Sequence, residues 1–325
     1  MAKLTMVEAI RQAMSQEMEQ NERVILLGED IGVNGGVFRA TEGLYEKFGE
    51  NRVFDTPLAE SGIIGSAVGL AMNGMRPVAE IQFFGFIYQT MDQVCGQAAR
   101  MRYRSGGRFT VPIVIRAPFG GNVRAPELHS DSLEALFLHT PGLKVVIPSN
   151  PFDAKGLLIS AIRDDNPVLF LESLKLYRSY REEVPEEAYS VPIGKAAVLI
   201  EGENATIVTY GGSVPMVKKI VEEYKTKGIH IELIDLRTIS PLDIKTIKES
   251  VEKTGRLMIV HEAVKTGGVG AEIIARINEE CFYSLAAPIV RVTGYDTPYP
   301  VQTMEDDWLP NEARINEGLV KLLSC

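Results

Sequence analysis

Glu60 is the residue of this sequence best placed for acid–base chemistry. It follows the apolar run Val53–Asp55 and a Thr-Pro turn, and it precedes a glycine-punctuated apolar stretch. Apolar neighbours raise the pKa of a carboxyl group and so suit it to proton transfer. An acid in the first turn of a helix, where it complements the helix dipole, is the alternative interpretation. The local pattern leaves both interpretations open.

An aromatic segment forms the second candidate. Phe83, Phe84 and Phe86 follow the apolar run Val78–Ile81 and lie between Gln82 and Gln89. Their rings offer enough surface to hold a flat ligand ring. Packing in the hydrophobic core is the alternative interpretation of the same residues.

A glycine-rich loop that ends in a histidine is the third candidate. Gly120 and Gly121 leave a predicted buried strand, and His129 is followed by Ser130 and Asp131. Loops beyond the carboxyl ends of strands are where α/β sheets bind their ligands. A surface histidine without a chemical role is the alternative.

The elements that must position these segments are strands alternating with helices. The predicted strands are 24–27, 53–55, 78–81, 111–115, 144–147, 168–171, 206–209, 231–234, 257–260 and 289–292. The predicted helices are 4–20, 62–74, 86–103, 152–163, 213–227, 242–253, 268–282 and 310–323. Because the strands are nearly continuous apolar runs, we expect α/β layers built on parallel sheets buried on both faces.

The chain length of 325 residues predicts two domains. The best boundary is the charged segment Arg178–Tyr189, which contains a proline and follows neither helical nor strand periodicity. We therefore expect a larger domain over 1–180, a linker over 181–196 and a smaller domain over 197–325.

Composition excludes several classes of protein. The net charge of -9 disfavours nucleic-acid binding, and no apolar run is long enough to predict a membrane span. Three dispersed cysteines fit neither a disulfide framework nor a zinc site, so we expect a cytoplasmic protein. Gly268 and Gly270 lack the third glycine of a dinucleotide-binding fingerprint, and a tight turn with close helix packing explains them better.

Several long motifs occur together along the whole chain. They are Leu26–Gly32, Gly35–Thr41, Asp55–Gly62, Arg102–Gly107, Glu127–Ser132, Gly142–Ser149, Asp153–Leu158, Leu236–Asp243 and Asp307–Pro310. In this order they resemble the beta subunits of the thiamine diphosphate-dependent decarboxylase component of 2-oxo acid dehydrogenase complexes, of the pyruvate dehydrogenase type. The resemblance implies a pyrimidine-binding domain of transketolase type with a parallel sheet, followed by a smaller α/β transketolase C-terminal domain.

The resemblance also implies the roles of particular residues. Glu60 matches the glutamate that exchanges a proton with N1′ of the cofactor's aminopyrimidine. His129 matches the histidine that helps to transfer the acyl group to a lipoyl arm. The cofactor-binding positions that match are Leu58, Glu60, Gln82, Phe86 and Gln89, with Phe86 packing on the pyrimidine.

Two metals follow from the same resemblance. A structural potassium ion would be held mainly by backbone carbonyls, on Ile113, Ala161, Ile162, Asp164 and Asn166. Mg²⁺ would be held by an alpha subunit, because the family's diphosphate signature, Gly-Asp-Gly followed by Asn, does not occur in these 325 residues. The implied enzyme is an α2β2 heterotetramer, active only with that subunit. Its further partners would be a 2-oxo acid and the lipoyl domain of a dihydrolipoyl acyltransferase core.

One departure from the family and two alternatives remain. Bacterial members commonly carry a third glycine and then a histidine where this chain has Asn122 and Arg124, so the loop conformation and the substrate preference stay open. A branched-chain 2-oxo acid or acetoin dehydrogenase beta subunit is the alternative within the family. A non-catalytic scaffold of the same fold is the alternative outside it.

Overall fold

The computed structural model describes residues 1–125 and 127–325, with the side chain of Glu127 left out. The strands are β1 (Ala2–Leu4), β2 (Val24–Gly28), β3 (Val53–Asp55), β4 (Arg76–Glu80), β5 (Val114–Phe119), β6 (Lys144–Val146), β7 (Val168–Ser173), β8 (Glu182–Val184), β9 (Ala197–Ile200), β10 (Ala205–Thr209), β11 (Ile231–Asp235), β12 (Thr238–Ser240), β13 (Leu257–Val264) and β14 (Val290–Gly294). The helices are α1 (Met6–Gln20), α2 (Leu44–Phe48), α3 (Glu60–Met72), α4 (Ala99–Arg104), α5 (Glu127–Ser130), α6 (Glu134–Leu138), α7 (Pro151–Arg163), α8 (Val214–Thr226), α9 (Ile244–Thr254), α10 (Val269–Cys281), α11 (Glu305–Trp308) and α12 (Glu312–Leu323).

Two large sheets carry the fold. One has the strand order β12-β6-β7-β5-β4-β2-β3 and the other β14-β13-β10-β11-β9, and within each the neighbouring strands are parallel except at β12 and β9. The central strands are buried along their whole length, as the apolar runs require. The predicted α/β architecture with parallel sheets is confirmed.

Local sequence signals set the ends of the longer helices. Thr5 and Glu8 form a capping box at the start of α1, and the Asn150 side chain accepts from the N–H of Asp153 at the start of α7. Strand β5 begins at Val114 instead of the predicted Val111. Pro112 explains the later start because it has no N–H to donate to a neighbouring strand.

The prediction of one continuous α-helix over 86–103 was wrong. Residues Phe84–Thr90 form 3-10 turns, Asp92–Ala98 form a π-helix, and only α4 is α-helical. Two close contacts accompany this change. A Cβ atom on Gly85 would lie 2.1 Å from the Leu128 carbonyl oxygen, and one on Gly96 would lie 2.6 Å from Asp92 Oδ1. π-Helical turns inside helices are frequently found at functional sites.

Strands β2 and β4 are neighbours at the topological switch point of the larger sheet. The chain leaves β2 for β3 on one side, whereas it leaves β4 for β5 on the other. Ligands of open α/β sheets bind in the crevice beyond the strand ends at such a point. The residues that follow β2, β3 and β4 are therefore the first place to look for a site.

A buried ion cluster ties together the ends of β4, β5 and β7. Arg116 donates to both oxygens of Glu172 at 2.7 and 2.8 Å and to Glu80 Oε2 at 2.8 Å. Tyr177 also donates to Glu172. All four side chains are buried, so each charge depends on its partners instead of water.

The described residues form no helix that is both long and apolar enough to cross a membrane. Cys95, Cys281 and Cys325 are free thiols. Gly268 and Gly270 serve close packing, because Cβ atoms there would lie 2.8 and 3.1 Å from the His261 ring.

Candidate active site

Glu60 opens helix α3 directly beyond the end of β3. Its side chain is only 3% exposed, and Ile63 and Ile64 behind it belong to the core. Its Oε2 atom is buried and has no hydrogen-bond partner among the described residues. Since a buried carboxylate oxygen without a partner is costly, this atom is suited to a polar group of a ligand.

Glu29 is a second buried carboxylate near Glu60, and sequence reasoning gave it no role. It follows β2 and is 7% exposed, and its Oε1 atom is also buried without a partner. Burial raises the pKa of Glu29, and the negative charge of Glu60 raises it further. An acid that directly follows a buried apolar strand is the signal that could have identified it.

The aromatic segment packs against α3, the helix that begins at Glu60, because the turns over 84–90 contact α3. Phe86 and Gln82 are half-buried, Gln89 is exposed, and Leu58 is 79% exposed. The predicted cofactor-binding residues thus range from the buried Glu60 to the exposed Leu58 and Gln89. Phe84 instead packs in the core, as the alternative interpretation of that aromatic residue expected.

His129 lies in the short helix α5, against the same aromatic residues. Its ring centroid is 4.4 Å from that of Phe83 and 5.3 Å from that of Phe86, and both contacts are edge-to-face. Gly85 permits this approach, because any side chain there would collide with Leu128. Neither His129 Nδ1 nor Ser130 Oγ has a hydrogen-bond partner in the described part of the chain.

The glycine loop adopts a left-handed backbone at the two residues that depart from the family. Asn122 has φ 73° and Arg124 has φ 54°, a conformation that favours glycine but tolerates asparagine. Arg124 is held there by contacts to the second sheet's domain. Its N–H donates to Glu305 Oε2 at 3.2 Å, and its guanidinium contacts Asp306 at 2.8 Å.

Three of the residues expected to bind potassium, Ala161, Ile162 and Asp164, lie at the end of α7. Arg76 Nη1 donates to the carbonyl oxygens of Ile162 and Asp164 at 2.9 and 3.0 Å. The Ile113 carbonyl accepts from Val168, and the Ala161 carbonyl accepts from the Asp164 N–H. Two of the five oxygens therefore already face one cationic group, and a carbonyl oxygen with one hydrogen bond keeps a second lone pair. This donor set suits a hard cation.

Side-chain metal ligands are not clustered in the described residues. No group of three or more His, Cys, Asp or Glu side chains there could hold a metal ion.

Two domain families match the chain in succession. Residues 2–179 match the transketolase pyrimidine binding domain, and residues 194–315 match the transketolase C-terminal domain. The pyruvate dehydrogenase E1 component subunit beta of Bacillus subtilis strain 168 is 58% identical over 323 residues, which cover 99% of each chain. The chain belongs to the family of these beta subunits.

Further relatives agree with this assignment. The proteins of the same name from Staphylococcus aureus strain Mu50 and Staphylococcus epidermidis are each 56% identical over 317 residues, 98% of each chain. A solved split-gene transketolase, described as an inactive beta4 tetramer, shares the fold with a TM-score of 0.81 at 21% identity and 99% coverage of each chain. The resemblance inferred from the motifs is confirmed, as is the two-domain transketolase fold.

The family is thiamine diphosphate-dependent, and the residues present fit the pyrimidine end of that cofactor. Glu60 offers a buried carboxylate oxygen with no partner among the described residues. Phe86 offers a half-buried ring nearby. A carboxyl group and an aromatic face are the groups that a flat, nitrogen-containing ring requires.

Proposed function

We propose that this chain acts with an alpha subunit, as an α2β2 heterotetramer in the cytoplasm, in the oxidative decarboxylation of pyruvate and the acetylation of a lipoyl domain. The observation that carries the proposal is the unpartnered Oε2 atom of Glu60, buried beyond the strand ends at the switch point. The lipoyl domain belongs to the dihydrolipoyl acyltransferase core.

In this proposal the chain's own residues hold and protonate the cofactor's pyrimidine. Glu60 exchanges a proton with a ring nitrogen, Phe86 packs against the ring, and Leu58, Gln82 and Gln89 line its surroundings. When bound, thiamine diphosphate supplies the carbon centre that takes up the electron pair released with carbon dioxide. Burial of Glu60 keeps water away from the proton that it exchanges.

The direct test is the rate at which the chain, reconstituted with its alpha subunit, oxidises each substrate with an artificial electron acceptor, because acetoin has no carboxyl group to lose. Pyruvate is expected to be the preferred substrate over 3-methyl-2-oxobutanoate and acetoin. Preference for either of the latter would instead support the branched-chain or acetoin alternative. Tight cofactor binding without turnover of any of the three would support the non-catalytic scaffold.

A second chain is required to complete the site. Two of the proposed cofactor-binding residues are open to solvent, since Leu58 is 79% exposed and Gln89 is also exposed. An anionic diphosphate needs a cation and backbone donors, and the family's sequence signature for them is absent from these residues. The alpha subunit would supply Mg²⁺ and the diphosphate contacts.

We expect the isolated chain neither to retain Mg²⁺–thiamine diphosphate tightly nor to decarboxylate pyruvate. The reason is that the diphosphate contacts would come from the alpha subunit. Calorimetry of the cofactor against this chain, with and without the alpha subunit, measures the difference. Micromolar affinity together with turnover by the chain alone would contradict the two-subunit proposal.

Replacing His129 with alanine is expected to impair acetylation of the lipoyl domain more than decarboxylation. Transfer of the acetyl group requires a proton for the lipoyl sulfur, and histidine titrates near neutral pH and can supply it. Both rates are measured on the reconstituted enzyme, with an artificial oxidant reporting decarboxylation. His230→Ala, which changes an exposed histidine of the second domain, is the matched control. Equal losses in the two assays would mean that His129 only orders its segment.

We also propose that K⁺ binds the carbonyl oxygens of Ile113, Ala161, Ile162, Asp164 and Asn166. Thermal unfolding is then expected to occur at a higher temperature in KCl than in NaCl of equal ionic strength. At ten times Kd, bound K⁺ would stabilise the fold by about 1.4 kcal/mol. Equal melting temperatures in KCl, NaCl and tetramethylammonium chloride would show that these oxygens bind no K⁺.

A further inference from the structure

The glycine loop is held to the second domain by two buried carboxylates. Glu262 Oε2 accepts from the N–H of Gly121 at 3.1 Å, and Glu305 Oε2 accepts from the N–H of Arg124 at 3.2 Å. Glu262 is 8% and Glu305 1% exposed. A Cβ atom on Gly121 would lie 2.2 Å from the Tyr299 hydroxyl, so the loop lies closely against this domain.

The chain beyond His129 is held to the same domain by a different contact. The Tyr210 hydroxyl, directly after β10, donates to Glu134 Oε1 at 2.7 Å, and both residues are buried. Burial raises the pKa of Glu134 to about 7, although the hydrogen bond from Tyr210 acts in the opposite direction. The Tyr210 ring stacks on His261, with a centroid distance of 6.0 Å, so its hydroxyl has a fixed direction.

In the sequence, His129 lies between the residues that make these two sets of contacts, and its own ring nitrogen Nδ1 makes no hydrogen bond within the described residues. Phe83 and Phe86 contact the ring. Edge-to-face contacts fix the tilt of one aromatic ring against another, whereas hydrogen bonds to charged groups are stronger and also fix a distance. The place of the His129 ring therefore depends on how its backbone is held, by the contact of Leu128 with Gly85 and by the attachments on either side.

We propose that Tyr210, Glu262 and Glu305 are positioning residues, which fix His129 relative to Phe86 by holding the chain on both sides of it. The inference rests on the proposed role of His129 in acetylation of the lipoyl domain. In this proposal the second domain contributes to acyl transfer by holding the first domain's glycine loop, and not by contacting the cofactor.

The test compares two pairs of variants in the reconstituted enzyme. Tyr210→Phe removes the donor to Glu134, and Glu262→Ala removes the acceptor for Gly121. Glu134→Gln and Glu262→Gln are the conservative partners, because each keeps a carbonyl oxygen that can accept the same hydrogen bond. Tyr224→Phe, which changes a buried tyrosine on α8 of the second domain, is the control for loss of a tyrosine hydroxyl.

The rate of lipoyl acetylation is expected to fall about tenfold in Tyr210→Phe and in Glu262→Ala, because small displacements of a reacting group lower a rate by up to about 10²-fold. The rate of decarboxylation is expected to fall by less. The ratio of the two rates should stay at the wild-type value in both glutamine variants and in Tyr224→Phe. Melting temperatures and gel filtration identify any variant that fails to fold. If one variant fails, the other variant and its glutamine partner still test whether these contacts position His129.

Two results would overturn the inference. One is an unchanged ratio of the rates in folded Tyr210→Phe and Glu262→Ala. The other is a parallel loss of both activities, which indicates a purely structural role. If the wild-type enzyme decarboxylates no 2-oxo acid, the proposed function itself is wrong, and this outcome is visible before any variant is made.

Discussion

Replacement of Glu60 by glutamine is expected to lower the rate of decarboxylation by about 10²–10⁴-fold while the α2β2 assembly still forms. Glutamine keeps the shape of the side chain but cannot exchange a proton, and a positioned acid–base group contributes a factor of this order. Single-turnover rates on the reconstituted enzyme give the loss, and gel filtration reports the assembly.

Glu272→Gln is the matched control for the helix-dipole interpretation of Glu60. Glu272 also lies in the first turn of a helix, α10, but it is not fully buried and plays no part in the proposed site. If first-turn charge were the whole role of Glu60, both substitutions would have similar small effects on stability and none on turnover. A Glu60→Gln enzyme that keeps more than about a tenth of the wild-type rate would reject the acid–base role.

Replacement of Arg116 by methionine is expected to destabilise the fold by about 3–5 kcal/mol, because it leaves buried carboxylates without their cation. Arg116 is 1% exposed and is the cation that Glu80 and Glu172 both contact. Urea unfolding followed by circular dichroism measures the change. Because the cluster fixes the ends of β4 and β5, we also expect weaker cofactor binding in Arg116→Met at temperatures where it remains folded.

Arg276→Met provides the comparison for a surface ion pair. Arg276 contacts Glu280 at 3.3 Å one turn away on α10, and both side chains are about a third exposed. Such pairs contribute about 0.3–0.5 kcal/mol. A similar small loss in Arg116→Met would mean that water or rearranged side chains compensate the two carboxylates.

The continuous apolar runs predicted the central strands well, because burial on both faces leaves a strong local pattern. The ends of two predicted strands, Val24–Leu27 and Thr206–Thr209, agree with the observed ends to within one residue. Strands β1, β8, β9 and β12 were missed. Each is an antiparallel strand with a single partner, and none is buried along its whole length. What makes them strands is pairing with residues far away in the chain.

The candidate site likewise has some features that the sequence predicts and others that only the folded chain shows. The sequence places Glu60 beside apolar residues, so its burial was foreseeable, but the missing partner of Oε2 depends on the packing of several elements. The contact between Tyr210 and Glu134 joins residues that lie 76 positions apart, and no local pattern indicates it. The close approach of Leu128 to Gly85 likewise exists only in the folded chain, because the two residues are far apart in the sequence.

Strand β12 has a consequence for how the chain folds during synthesis. It comes from the second domain, yet it forms the outer strand of the larger sheet by pairing with β6. Until residues 238–240 leave the ribosome, the nascent sheet ends in the unpaired edge of β6, and open edges recruit strands from other chains. A chain truncated after the first domain is thus expected to aggregate, and the last step of folding for the first sheet waits for the synthesis of the second domain.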